Sequence, residues 1–293
     1  MQGSEFVLAR SRQILRSAVL FAVALGAGES VCVVAAQAQG KLEAQYTASL
    51  AGVTLGKGTW IVDIGDTQYT AAASGSTSGL LKIFTSGQGT GAARGVLSSA
   101  GQPMASSYAA SVKLDKKTDE VRMSVNGGVV KEFRVEPPVT ADPERIPITE
   151  AERRGVMDPM TASLVRMPGN GSPMVPEACQ RTLSIFDGRM RYDLKMSFKR
   201  MENVKADKGY QGPVIVCAVH FAPIAGFIPS RAAIKYLTDL REAESWLAPV
   251  AGTRVLVPFR VQVPTPLGLA VLEATHFVSV PQPVRAGVPT KTQ

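Results

Sequence analysis

The segment CQRTLSIFDGRMRYDLKMSFKR (residues 179–200), followed by GYQGPVIVCAVHF (residues 209–221), decides the fold. Alternation with a period of two marks a strand that buries one face. Met190, Tyr192, Leu194, Met196 and Phe198 alternate with Arg191, Asp193, Lys195 and Ser197, so one face turns inward and the other meets water. Asp187-Gly188, between Ile185 and this run, reads as a hairpin turn. Pro213 to Phe221 is the most continuously apolar strand text in the chain and suits a central position covered on both faces.

Upstream, Tyr46, Ala48 and Leu50 alternate within AQYTASL, and Trp60, Val62 and Ile64 within TWIVDIG. Glycines such as Gly52 and Gly56 read as turn punctuation between them, giving a β-meander. Strand rhythm resumes through GAARGVLSS, ASSYAASVKLD and EVRMSVNGG, with Asp115–Asp119 as a polar turn. Asn126-Gly127 predicts a type I′ hairpin between VRMSV and VVKEFRV. Gly79–Phe84 fits either one helical turn or a strand.

Residues 136–178 carry eight prolines, among them Pro137, Pro138 and Pro143, which rule out continuous sheet. Thr149-Glu-Ala-Glu152 matches a capping box, and Asp158-Pro159 an N-cap that opens a helix over Met160–Val165. Such local signals favour a helical excursion between two parts of one sheet over a flexible linker between two domains.

Downstream, the spacing predicts a helix from Arg231 to Leu247, started by Pro229-Ser230 and stopped by Pro249. Ala233, Ile234, Tyr236, Leu237, Leu240, Ala243 and Leu247 form its apolar face. Glu244 falls inside that arc and needs a cationic partner there, for which Arg241 or Arg254 is available. RVLVPFRVQVP and LGLAVLEATHFVSV close the chain as strands, with Pro258 and Pro264 placing the first at an edge or bend. Residues 281–293 read as a disordered tail.

The compartment follows from the first 38 residues. Arg10, Arg12 and Arg16 precede the apolar run Ala18–Leu25, and Ala36-Gln37-Ala38 offers a small-x-small cleavage site, the pattern of an export signal. The apolar run is too short for a membrane span, so the mature chain is not expected to span a bilayer. Cleavage removes three of 32 basic and two of 24 acidic residues, leaving a formal charge of +7, and takes away Cys32. In an oxidising compartment, Cys179 and Cys217 then have each other as the one intramolecular partner; two buried free thiols are the alternative. The composition of the full sequence, 45% apolar and 19% charged, supports a single β-rich domain over residues 39–280.

Chemistry is thinly signalled. His220 and His276 are the available imidazoles, both in apolar strand text, and neither belongs to a metal-ligand cluster, so no metal and no cofactor are expected. Gly75-Ser-Thr-Ser-Gly79 centres on Thr77 and is no nucleophile elbow. Gly87-Gln-Gly-Thr-Gly91 lacks the dinucleotide pattern. Asp187, Asp193, Glu244 and Glu273 are candidate carboxylates for glycosidase-type chemistry, which leaves no spacing signature. Arg181, Arg189, Arg191, Lys195 and Lys199 would form either a positive sheet face or a merely solvated one. The scattered bases do not make a nucleic-acid stripe.

RIPITEAERRG (145–155), DPMTA (158–162), CQRTLSIFDGRMRY (179–192) and WLAPVAGTRVLVPFR (246–260) together resemble a family of exported proteobacterial proteins catalogued as domain of unknown function 3108. The resemblance implies a periplasmic location and a β-rich architecture, and it brings no catalytic residue. By more distant analogy the chain is similar to envelope-integrity proteins whose sheet curls as an open spiral or half-barrel around a helix.

These readings converge on a mainly β protein: a strongly curved antiparallel sheet, an open barrel or β-spiral, wrapped around one C-terminal amphipathic helix. The expected function is a non-enzymatic periplasmic cell-envelope factor that binds an envelope lipid, glycan or protein in the groove of the sheet. Tyr236, Arg241, Glu244 and Arg254 are its expected lining. A hydrolase or lyase working on an envelope polymer through carboxylates is the second class, and a structural partner-binding module the third.

Overall fold

In the computed structural model the described residues are 39–78, 86–97 and 102–283. The export-signal reading, the Gly79–Phe84 alternative and residues 284–293 of the expected tail lie outside them. Seven strands run in sequence as a meander: β1 (Gly40–Leu50), β2 (Val53–Ile64), β3 (Gln68–Thr77), β4 (Gly87–Val96), β5 (Met104–Leu114), β6 (Lys117–Asn126) and β7 (Val129–Glu136). After the proline-rich excursion come β8 (Val165–Arg166), β9 (Arg181–Phe186), β10 (Arg191–Lys205), β11 (Lys208–Gly209), β12 (Gln211–Ala225), β13 (Glu244–Pro249), β14 (Val255–Thr265) and β15 (Gly268–Pro281).

All belong to one sheet, ordered β7-β6-β5-β4-β3-β2-β1-β15-β14-β13-β12-β10-β9, with β8 beside β14 and β11 beside β15. Pairing is antiparallel except between β11 and β15. Joining the first strand to the last in chain order, β1 to β15 from Gly40↔Pro281 to Leu50↔Ala270, welds the two halves of the sheet.

The core bears out the alternation at Tyr46, Trp60, Val62 and Ile64, whereas Ala48 and Leu50 are half-buried and Phe198 of β10 is exposed. Leu42, Ala44 and Tyr46, then Trp60, Val62 and Ile64, face Val214, Val216, Trp246, Val257, Phe259 and Phe277 in one buried cluster. β12 is an interior strand, third from the β9 end of the sheet, and Val214 to Cys217 are buried on both faces as expected. Its other face, Ile215 and Cys217, packs with Leu247 and Leu256 under Val165, Met167 and Ala178 of the excursion. Cys179 and Cys217 are disulfide-bonded, with Cα atoms 5.4 Å apart, tying the end of the excursion to that interior strand.

Ladder pairing does not close the sheet. Its outermost strands, β7 and β9, are bridged instead by the excursion, whose Arg154 pairs with Val129 and whose Met157 pairs with Ile185. Val156 donates to the carbonyl of Gly128 at 3.1 Å, and Met157 to that of Ser184 at 3.0 Å. One helical turn, α1 (Pro159–Ala162), follows and fills the space between β4, β5 and β9. Asp158 caps it: one carboxylate oxygen accepts from the amides of Met160 and Thr161, each at 2.9 Å. Tyr69 then shares a 2.5 Å hydrogen bond with the Thr161 hydroxyl.

The expected C-terminal helix is corrected. α2 spans Ala232–Asp239 and buries no residue, and the sheet does not wrap it. Glu244–Leu247, read as its final turn, belongs to strand β13, with Glu244 to Ala248 all buried. A short apolar run buried on both faces has no period to separate strand from helix. Of the two readings of Pro258 and Pro264, edge or bend, the edge is excluded because β14 is interior, and Pro258 sits beside a register shift against β13. The tight turn after β6 uses Gly127-Gly128, at φ +57° and +73°, one residue later than expected. The turn before it is Asp115-Lys116, between paired Leu114 and Lys117. Finally, β15 continues to Pro281, and Gln282 donates to Gln39, so the tail does not begin at 281.

Candidate functional site: a polar groove on the glycine-rich strands

Across β1 to β6 the sequence alternates glycine with small polar residues and lysine: Gly56-Lys-Gly58-Thr, Ser74-Gly-Ser76, Gly87-Gln-Gly89-Thr-Gly91. Residues two apart in a strand share a face, so all the polar members emerge on one side. Strand register then aligns them into two transverse rows. His276, Gln45, Thr59, Ser74, Thr90 and Ser111 are successive cross-strand partners from β15 to β5. Thr47, Lys57, Ser76, Gln88, Lys113 and Thr118 form the second row, from β1 to β6.

Both rows line one cavity of about 820 Å³, which Asp207 and Thr275 complete. At ~4.8 Å per strand, five inter-strand steps make each row roughly 24 Å long. The glycines permit this packing. A Cβ on Gly56 would stand 2.9 Å from the carbonyl oxygen of Ser76, and one on Gly58 would stand 2.9 Å from that of Ser74. These glycines lie inside strands, which corrects their reading as turns, although Gly52, at φ +81°, is indeed a turn residue.

The groove offers hydroxyls, amides and two ammonium groups. Thr59 and Ser74 hydroxyls hydrogen-bond to each other at 2.8 Å. Lys57 and Lys113 form no ion pair among the described residues. Asp207 is the one carboxylate in the described lining, so the groove is net positive. Tyr46 spends its hydroxyl on the carbonyl of Pro258 at 2.7 Å. Such a surface can hold an extended, hydrated, negatively charged chain through many weak hydrogen bonds and a few charges.

None of the four residues expected to line the site faces this groove, and the structure does not bring them together. Tyr236 donates to the carbonyl of Pro264 at 3.1 Å. Arg241 reaches His220 Nδ1 at 2.9 Å and the carbonyl of Thr238 at 2.7 Å. Arg254 donates to the carbonyls of Met167 at 2.9 Å and Pro168 at 2.6 Å, tying down the excursion.

Glu244 finds neither of its expected partners. It is held by Lys199 and, at 3.0 Å, by Arg200 of β10. Burial pushes its carboxyl up, but the hydrogen bonds and charges of Arg200 and Lys199 together outweigh burial and hold it below the ordinary carboxylate value. Beside it Glu202 accepts from the Trp246 indole at 2.7 Å, chiefly for which its carboxyl is also lowered. Arg200 and Arg260 place their guanidinium carbons 5.6 Å and 5.0 Å from the ring of Trp246. Arg260 also pairs with Glu273 at 3.6 Å, so the three cations of this cluster meet three carboxylates.

Three members of the expected basic sheet face are spent on carboxylates, while Lys195 of β10 is exposed and forms no ion pair among the described residues. Arg189 pairs with Asp119, Arg191 with Asp193, and Lys199 with Glu244. The Arg181 guanidinium is pulled down by burial and reaches Met167 Sδ at 3.1 Å. Among the described residues no His, Cys, Asp and Glu cluster has metal-binding geometry, and no helix is long and apolar enough to cross a membrane.

A solved structure titled as a beta-barrel-like protein of domain of unknown function DUF1849, from Brucella abortus, is similar at 8% identity and a TM-score of 0.44, covering 83% of this chain and 98% of that one. Comparison with curated proteins finds no match. A family model described as "Protein of unknown function (DUF3108)" matches residues 45–275, most of the chain, and the protein belongs to that family.

Proposed function

We propose that the protein is a non-enzymatic factor of the periplasm that holds an acidic envelope polysaccharide along the groove of β1 to β6. The observation that carries this reading is the pair of transverse rows, in which hydroxyl and amide side chains repeat at strand spacing and Lys57 and Lys113 supply charge. A polymer matches a repeating surface better than a compact metabolite does. The export pattern of residues 1–38 and the Cys179–Cys217 bond support an oxidising, extracytoplasmic setting.

An enzyme of the two-carboxylate type would need a second acid facing Asp207, and the described lining supplies none. Of the four expected carboxylates, Glu244 is committed to Lys199 and Arg200, Asp193 to Arg191 and Glu273 to Arg260, while Asp187 accepts from the amides of Arg189 and Met190. A partner-binding role is favoured by one further feature. A neighbouring hollow of about 400 Å³, which shares Lys57 and Lys113 with the groove, is lined by Leu55, Val112, Leu114 and Leu272 among others.

Mass spectrometry of glycans and lipids that co-purify with the full chain from an envelope extract tests the proposal. The expected result is an acidic glycan that disappears in the Lys57→Glu/Lys113→Glu variant. An acidic glycan carried equally by that variant, or apolar material alone, overturns it.

A further inference from the structure

We propose that a second pocket, beside the start of α2, binds a phosphate group. The cavity, about 280 Å³, lies between the segment leaving β7, the β9–β10 turn and residues 226–234. Arg145, Arg189 and Arg231 line it, and no acidic residue does. Three guanidiniums around one small cavity repel one another unless an anion joins them. Guanidinium forks match phosphate oxygens in both geometry and charge.

Each arginine has a distinct state. Arg189 donates to Asp119 at 3.0 Å and to the carbonyls of Glu136 and Pro137, both at 3.2 Å, and is thereby fixed in place. Arg145 donates through Nη1 to the carbonyl of Gly226 at 2.6 Å, while its buried Nε has no acceptor. Arg231 is exposed, and its side chain makes no hydrogen bond or ion pair among the described residues. Nearby acids neutralise Arg189 or lie outside the lining, which leaves Arg145 and Arg231 without an ion-pair partner among the described residues. Asp119 serves Arg189, Glu136 pairs with Arg134, and Glu144 accepts from the Ser230 hydroxyl. The pocket therefore keeps positive charge, and the Arg231 guanidinium on its wall has no acceptor among the described residues. Pro138, Phe227, Ile228 and Ile234 supply apolar wall for the carbon skeleton that carries the phosphate.

Isothermal titration calorimetry of the full chain with glycerol phosphate, inorganic phosphate and phosphatidic acid vesicles tests this. Binding is expected in at least one titration, and Arg231→Ala should weaken it about ten-fold or more, the loss of one charge-assisted contact. Arg231 is exposed, so its removal should leave the melting temperature unchanged; Arg145→Lys supplies a second, charge-conserving variant with intermediate affinity. Vesicle binding without inorganic phosphate binding assigns the group to a lipid headgroup, and the reverse assigns it to a soluble ion. The Lys57→Glu/Lys113→Glu groove variant should bind phosphate normally, which separates this site from the proposed polysaccharide groove. No binding in any titration, or equal binding by Arg231→Ala, overturns the proposal.

Discussion

Phe133 of β7 and Phe186 of β9 meet edge to face, with ring centroids 5.2 Å apart, across the line where the two ends of the sheet approach. The ladder is interrupted there, so side chains and the excursion complete the wall. Phe186 is fully buried with Met123, Val125, Val130 and Val156, whereas Phe133 is 38% exposed.

Phe186→Ala should therefore cost about 3–5 kcal/mol, and Phe133→Ala clearly less. Gly188→Ala should also destabilise this seam, because Gly188 has φ +92° and a Cβ there would stand 2.6 Å from Val121 Cγ1. Urea denaturation of the three variants checks the order. Equal stabilities for Phe186→Ala and wild type would mean that the seam is not closed in solution.

Removing the Asp158 carboxylate strips α1 of its cap. Asp158→Ala leaves the amides of Met160 and Thr161 without their acceptor and should cost about 2 kcal/mol. Asp158→Asn keeps an acceptor oxygen and should cost less. Burial raises the Asp158 carboxyl, so protonation favours the native state and its contribution to stability grows as pH falls.

Glu244 works in the opposite direction. Its carboxyl is lowered in the folded protein, so its contribution is fully present above the unfolded carboxylate pKa and is lost as pH falls through the folded value. Glu244→Gln should cost about 1–2 kcal/mol near neutral pH, discounted for the partly exposed Arg200 and Lys199. Thermal melts at descending pH should show variant and wild type converging; a gap that widens in acid would contradict the assignment.

Breaking the Cys179–Cys217 link frees a loop with a sequence separation of 38. Cys179→Ser should lower stability by about 2–5 kcal/mol. Thiol titration of unreduced protein exported to the periplasm should find no free cysteine at these positions. Two reactive thiols would restore the alternative of unpaired cysteines.

Much of the fold was legible where one face alone is buried. Leu42, Ala44 and Tyr46, and Trp60, Val62 and Ile64, carry the inward stripe in plain alternation. Legibility fails where both faces are covered. Ser245, Trp246, Leu247 and Ala248 are all buried between two different clusters, so their spacing matched a helix as well as a strand. The site was missed for another reason. Glycine in GKGT and GQGTG signals turns when read singly, and only cross-strand register turns its polar neighbours into a row. The available signal was their alternation, polar against glycine, in strands that follow one another. Glu244 was correctly singled out as needing a cation, but its partners, Lys199 and Arg200, sit on a strand 44 residues away or more, beyond what local spacing reveals.

The central claim is that the rows flanking Lys57 and Lys113 bind an acidic polysaccharide. Fluorescence titration with labelled polyuronate oligomers, at low and at physiological salt, tests it most directly. The prediction is saturable binding that weakens with salt and that falls about ten-fold or more in Lys57→Glu/Lys113→Glu, with an unchanged melting temperature. Equal affinity of variant and wild type for the oligomers would contradict it.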